Sequence, residues 1–507
     1  MVGKNRNDGY TNYGEYEYTG NEIQHPEYVQ NKSKWQVVED ICDSNYKPYV
    51  IPPMYTQSSN GNAEKTNNYI ARARFYNFTL NTANGLVGTA LQKKPTIELS
   101  PALKYLEESA TNNGLTLYQL LQLCIFENVK KGRIILLTDF PAVPEGTTLE
   151  EETNNPALRA RIYAYTAEEV ETWAVDNTTG EEILTMVALR EVNRVRVDNA
   201  PGQLEYVDCV QYKVFEIDEN GECIFYIMDD LVNGGIVEGG EPRVIKANGT
   251  TLDFIPVTCI GSENNDWHVD TAPMFPIAHA NIGHLRNSAS LEFNIEAHGR
   301  ITVGISSKMS TSQWQEAAKS NPMVFGADNY VWLGDGGDMK TYQAAPNQLA
   351  SVAMTQKEDQ IQKMGGQMLT TSSDNAPVET TRLNMNARLS PLETIVNNVV
   401  EGINTQLDYI AIFQGVPEDE SYIQLPLEFT PKSADPAMIQ ALTASWVAGG
   451  LPQTTLVKYA QSVDLEDPER DPEEIIAEVT IPDAAGLDFS TNETEEATID
   501  EVDESDS

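Results

Sequence analysis

The apolar positions of this chain recur with helical period over long stretches, interrupted by one block that alternates like strands. From Lys65 the set Tyr69, Ala73, Tyr76, Leu80, Ala83, Val87 and Ala90 returns every three or four residues until Pro95, which predicts one long amphipathic helix. A second helix follows, with Thr116 and Gln119 as a capping box, Leu117, Leu120, Leu121, Cys124 and Ile125 as its buried stripe, and Gly132 as its stop. The run Arg133–Thr138 then reads as a buried strand. Between 155 and 260 the β-rich runs Thr185–Val197, Tyr206–Ile217 and Cys223–Met228 dominate, with Asn220-Gly221 turning a hairpin and Phe254–Ile260 as the last strand. Helical spacing resumes from Ala272 through Ile277, Ile282, Leu285, Ala289 and Phe293 toward Gly299.

Residues 301–346 interrupt it with a strand at Ile301–Ile305, a short helix at Ser312–Ala318 and a turn at Val331–Gly337. A polar helix runs from Asn347 to Met364, where Gly365-Gly366 breaks it. Thr370–Pro377 has no core-forming residue and is an exposed loop. The strongest periodicity comes next, in Leu392, Ile395, Val396, Val399, Val400, Ile403, Leu407, Ile410 and Phe413. Ser390-Pro391-Leu392-Glu393 reads as its cap; alternatively, Pro391 kinks one longer helix that starts at Val378. Residues 435–462 read as two helices parted at Gly449-Gly450.

With 507 residues, 40% of them hydrophobic, the chain has material for a large core or several domains. Its 76 acidic residues exceed its 34 basic ones, a formal charge of -42 that disfavours non-specific attraction to phosphate backbones or anionic lipid. A DNA client would therefore need a contact that tolerates repulsion, such as a wide passage for a sliding duplex. Five cysteines without a CxxC spacing fit a reduced cytoplasmic origin. The polar start carries no secretion pattern, and no apolar run approaches the roughly 20 residues of a membrane span. Residues 1–50 lack periodicity and read as an arm that orders against a partner or stays mobile. From Asp464 onward carboxylates face a single cation, Arg470, and the stretch reads as a solvated tail.

Chemistry is sparse. There is no phosphate loop, dinucleotide fingerprint, nucleophile elbow or zinc-hydrolase helix. His279 and His284 lie five residues apart, about 140° around a helix, so they read as polar groups on a packed helix and not as a metal pair. Asp335 and Asp338 read as a tight turn, with a cation site as the lesser alternative. No catalytic residue, cofactor or metal is expected.

Three stretches carry a resemblance. They are Tyr69–Pro95, with its Gly-Leu-Val-Gly and Lys-Lys-Pro ending; Leu115–Pro141, with Gly132-Arg133, an apolar strand and Asp139-Phe-Pro141; and the order of helix, insertion and loop from 272 to 414. In these the chain resembles the portal proteins of tailed bacteriophages, in the short-tailed branch. The resemblance implies an α+β fold, with a mixed α/β wing, a helical stem, a small α/β clip, a long kinked tunnel helix and a helical C-terminal crown. Transferred to this numbering, the arm is 1–50, the wing 51–270 and the stem helices 271–300 and 347–369. The clip is 301–346, the tunnel loop 370–377, the tunnel helix 378–414 and the return to the wing 415–434. Residues 435–463 are crown-like, and 464–507 are the acidic tail.

The implied function is non-enzymatic: a ring, usually a dodecamer, at one capsid vertex of the virion, assembled in the host cytoplasm, through which double-stranded DNA is packaged, retained and ejected. Its implied partners are further copies of itself, the terminase large subunit, which hydrolyses the ATP, the head-tail adaptor, and the major capsid and scaffolding proteins. Thr370, Thr371, Ser372, Ser373, Asp374 and Asn375 would face the DNA, with Lys363, Arg382 and Arg388 as nearby cations for phosphates or for carboxylates of a neighbouring subunit. Lys308, Trp314, Lys319 and Trp332 are the candidate clip contacts, with packing of both tryptophans between neighbouring clips as the equal alternative. Two other readings stand beside this one: another ring component of the phage neck such as an adaptor, and a metal-dependent hydrolase with dispersed carboxylate ligands.

Overall fold

The structure is a computed structural model. It describes residues 24–52, 63–141, 155, 158–178, 180, 182–196, 206–231, 235–238, 242–247, 249–299, 302–306, 308–320, 336–342, 348–369, 390–417, 420–426, 436–462, 465–467 and 470–478. Helices and strands are mixed along the chain, which divides into two compact units, Met1–Leu427 and Glu428–Ser507. Among the described residues no helix is long and apolar enough to cross a membrane.

The first helix, α1 (Pro26–Cys42), lies within the stretch 1–50 expected to be an arm that orders against a partner or stays mobile, and over its own residues it corrects that expectation. His25 caps it, Pro26 occupies its first position, and Tyr28, Trp35, Val38, Ile41 and Cys42 are buried along it. Those apolar residues are sparse in sequence, and long-range partners fix the helix. The Trp35 indole N–H donates to the Lys131 carbonyl at 3.1 Å, and Glu39 lies 2.8 Å from the ammonium groups of both Lys130 and Lys131.

The single helix expected from Lys65 to Ala90 is two, α2 (Ala63–Arg72) and α3 (Phe78–Ala90). Asn77 caps α3, its Oδ1 accepting from the Leu80 N–H at 3.0 Å, while its amide donates to the Cys42 carbonyl. A remote side chain, Asn281, satisfies the freed backbone: its Oδ1 accepts from the Thr79 N–H and its Nδ2 donates to the Tyr76 carbonyl. Strand β1 (Thr96–Glu98) follows. Then α4 (Leu117–Lys131) begins with the expected Thr116/Gln119 capping box and ends on Gly132 at φ 77°.

The core of the first unit is a three-stranded antiparallel sheet. In it β2 (Arg133–Asp139) lies between β3 (Arg161–Thr166) and the later β12 (Val257–Gly261). Between them in sequence, β4 (Val170–Asp176), β5 (Ile183–Arg196), β6 (Tyr206–Ile217), β7 (Cys223–Leu231) and β8 (Gly235–Glu238) form an antiparallel meander, with β9 (Arg243–Val244) also pairing β7. The predicted hairpin turn joins β6 and β7. The Asp218 carboxylate accepts from the N–H groups of Asn220 and Glu222, and Gly221 takes φ 79°. A small pair, β10 (Lys246–Ala247) and β11 (Thr250–Thr251), precedes β12.

After β12 comes α5 (Phe275–Gly299), then β13 (Thr302–Ser306), α6 (Thr311–Ser320), β14 (Asp338–Tyr342) and α7 (Leu349–Gln367). Gly365-Gly366 does not break α7, which runs through both residues to Gln367; Gly365 lies against the Thr82 methyl group. The most periodic segment forms α8 (Pro391–Gln414), capped reciprocally by Ser390 and Glu393. Ser390 is extended at ψ 156°, so α8 starts at Pro391 and the alternative of one helix kinked there is corrected; residues 378–389 lie outside the described residues. Helix α8 packs along β12 and β2 and against α4. Strand β15 (Tyr422–Gln424) then pairs β1, with Asn404 of α8 holding both the N–H and the carbonyl of Ile423.

The second unit contains α9 (Pro436–Val447), α10 (Gln453–Ser462) and α11 (Pro472–Glu478). The expected turn at Gly449-Gly450 separates the first two, with Gly449 at φ 73°. Helix α11 lies inside the stretch expected to be a solvated tail. It packs on α10 and buries Ile475, and Arg470, the lone cation there, pairs with Glu478 at 2.8 Å.

Candidate functional site

Helices α5 and α7 pack side by side. At Gly283 an added Cβ would stand 2.7 Å from Lys357 Cε, and the next residue, His284, places Nε2 2.9 Å from the Glu358 carboxylate. Beyond the helices β13 pairs β14 from Thr302 opposite Tyr342 to Ser306 opposite Asp338. Position 283 meets 357 and 302 meets 342, so the number on one arm rises as that on the other falls. The chain therefore leaves along α5, crosses the β13–α6–β14 insertion and returns along α7 as an antiparallel hairpin.

Polar side chains of α5 fasten this hairpin to the α2–α3 junction. Besides Asn281, Ser288 accepts from the Arg74 N–H at 3.3 Å, Ser290 meets the Tyr69 hydroxyl at 3.2 Å, and Arg72 pairs with Glu296. His284 is fully buried, with Tyr76 and Phe78 edge-on to its ring. Its Nε2 is the ring nitrogen that meets the Glu358 carboxylate, and Nδ1 has no hydrogen-bond partner. His279 is exposed on the same helix, so the two rings are not brought together. Among the described residues no group of three or more His, Cys, Asp or Glu is placed to hold a metal ion.

Of the expected docking residues, Lys308, Trp314 and Lys319 fall within the insertion. Lys308 is exposed and lies against Gly336, where an added Cβ would stand 3.2 Å from its Cε. Trp314 is half-buried on α6, a helix capped by Ser310 and Gln313, and Lys319 is exposed in its last turn. Asp338 forms an exposed pair with Lys340. Lys363 is exposed on α7. Thr370, Thr371, Ser372, Ser373, Asp374, Asn375, Arg382, Arg388, Trp332 and Asp335 lie outside the described residues.

Two buried polar constellations are not evident from sequence. Gln406, fully buried on α8, joins two strands: it accepts from the Thr138 hydroxyl at 2.8 Å and donates to Thr258 Oγ1 at 2.7 Å. A polar residue inside the apolar period of α8 was its only sequence signal. At the end of α4, Lys130 and Lys131 are buried among Glu39, Glu127 and Glu168. Burial works to neutralise Lys131, but Glu168 and Glu127, with the Glu39 carboxylate, outweigh it and hold the ammonium above its ordinary value. Both constellations bind elements together and present no open chemistry.

Residues 273–414 match a family described as "Domain of unknown function (DUF4055)". The match runs from just ahead of α5 to the end of α8, so it takes in the hairpin, the insertion and the long helix. No curated protein matches the chain. Among solved structures, a chain in the neck of an empty gene transfer agent (GTA) particle is 13% identical, with a TM-score of 0.39 over 77% of this chain and 90% of that one. A chain in the virion of a native GTA particle is 13% identical, with a TM-score of 0.37 over 76% and 89%. One in the neck of a native GTA particle is 13% identical, with a TM-score of 0.37 over 75% and 88%.

Proposed function

We propose that this chain is a portal protein of a tailed bacteriophage, a non-enzymatic subunit that closes into a ring around a DNA channel. The observation that carries the reading is the antiparallel hairpin of α5 and α7, tipped by the β13–α6–β14 insertion, with α8 returning to the three-stranded core sheet. A hairpin rooted by buried polar bonds and tipped by a small α/β module is suited to carry a docking tip away from an anchored body. In this reading α5 and α7 are the stem and residues 301–346 the clip, with Lys308, Trp314, Lys319 and Trp332 meeting the terminase large subunit and then the head-tail adaptor. Major capsid and scaffolding proteins would surround the ring at its capsid vertex.

The charge of -42 supports a passive conduit. A carboxylate-rich wall repels the duplex and keeps it from adhering, whereas a basic channel would release counterions and arrest it. Thr370–Asn375 would face the duplex, with Lys363, Arg382 and Arg388 making transient phosphate contacts.

Electron microscopy of the purified full chain tests the proposal. Rings with an axial channel are expected; a protein that stays monomeric at every concentration at which it is soluble overturns it. Incorporation into DNA-free procapsids, which an adaptor joining filled heads would not show, separates portal from adaptor.

A further inference from the structure

Helix α1 starts at a junction of two histidines that need opposite protonation states. His25, its N-cap, accepts through Nδ1 from the Glu27 N–H at 3.3 Å, so that nitrogen must be bare. The His25 ring stacks on Trp173 of β4 at 3.9 Å between centroids, and its backbone N–H donates to the Glu171 carbonyl at 2.8 Å. His268, in the loop between β12 and α5, has carboxylates at both ring nitrogens: Glu27 lies 3.1 Å from Nδ1 and Glu182 3.4 Å from Nε2. Both contacts are attractive only when both nitrogens carry protons. The second Glu27 oxygen accepts from the Val269 N–H at 2.8 Å, so one carboxylate ties the first turn of α1 to this loop.

We propose that the start of α1 is held by a proton-sensitive clasp, closed while His268 is doubly protonated and His25 keeps Nδ1 bare, and loosened when either condition is lost. The groups facing the pair are consistent with this. Around His25, burial disfavours the charged ring, Glu27 opposes that, and Arg133 and His268 add to it, so its pKa is lowered. Around His268 the Glu27 hydrogen bond dominates over partial burial, and Glu27, Asp266 and Glu182 add attraction, so its pKa is raised. At Glu27 burial works upward, but the Val269 N–H and the two histidines outweigh it and keep the carboxyl ionised.

The ordinary histidine value is 6.5. A ring with a raised folded pKa stabilises fully below that value and ceases to as pH rises through the folded one. A ring with a lowered folded pKa stabilises above 6.5 and ceases to as pH falls through its folded value. The clasp is therefore tightest near pH 6.5 and slackens on both sides.

Hydrogen-exchange mass spectrometry of the full chain across this range, corrected for intrinsic rates, tests the proposal. Protection of residues 27–34, measured relative to residues 120–129 in α4, should peak near neutrality and fall roughly threefold on each side, the scale of one exposed ion pair. His25→Asn, which keeps a cap that does not titrate, should abolish the acid limb alone. His268→Gln should abolish the alkaline limb alone. A flat profile in the unaltered chain, or a limb that survives its own substitution while α4 stays protected, overturns the proposal.

Discussion

Gly402 of α8 lies so close to Ile260 of β12 that a Cβ on the glycine would stand 2.4 Å from the isoleucine Cγ1. The helix can lie flat on the sheet at that crossing because the position has no side chain. Two effects compete on substitution by alanine. Removing a helical glycine gains about 1 kcal/mol, and overpacking a filled core costs about 1–3 kcal/mol. Ile260 is fully buried and cannot yield, so the cost wins. Gly402→Ala is expected to lower the midpoint of thermal or urea unfolding, whereas Gly85→Ala on α3, where nothing lies within 4 Å, should leave it unchanged or raise it.

Gln406 supports the same crossing through polar bonds. Gln406→Leu keeps much of the volume but removes the carboxamide from the buried Thr138 hydroxyl, which retains only the Gln406 backbone carbonyl at 3.4 Å, and from the half-buried Thr258. A loss of about 1–2 kcal/mol is expected. Replacing both threonines by valine in the Gln406→Leu background should restore part of it, which a double-mutant cycle by urea denaturation measures.

The five cysteines divide sharply by environment. Cys209 is exposed, while Cys42, Cys124, Cys223 and Cys259 are buried. Burial pushes the Cys42 thiol up to about 11 and that of Cys223 to about 12. Burial also raises the thiols of Cys124 and Cys259. At neutral pH a thiol reagent should therefore label Cys209 rapidly in the native chain and the other four only after unfolding. Fast labelling of Cys42 would show instead that α1 leaves its seat.

If Thr370–Pro377 faces a moving duplex, deleting Ser372–Asn375 should leave ring assembly intact while impairing DNA packaging or retention. Particle counts by microscopy and protected genome length by gel report the two outcomes separately. Loss of rings on deletion would assign the segment to assembly.

Local rules made much of the fold legible. The boxes at Thr116/Gln119 and Ser390/Glu393 satisfy their helix starts within four residues, so no distant partner is needed to place α4 and α8. The turn at Asp218–Glu222 is likewise self-contained, and it set the β6–β7 hairpin at the position read from Asn220-Gly221.

What the sequence determined by itself, then, was the set of strongly periodic segments, their caps and turns, and the order of helix, insertion and returning helix. What only tertiary structure decided were the features whose stabilising partner is far along the chain. Helix α1 depends on Lys130, Lys131 and the Lys131 carbonyl, about a hundred residues away; the break between α2 and α3 depends on Asn281; and α7 continues through Gly365-Gly366 packed beside Thr82. In each case the local preference is weak, a few tenths to about 1 kcal/mol per residue, and one buried hydrogen bond or close packing contact from a remote element is large enough to reverse it.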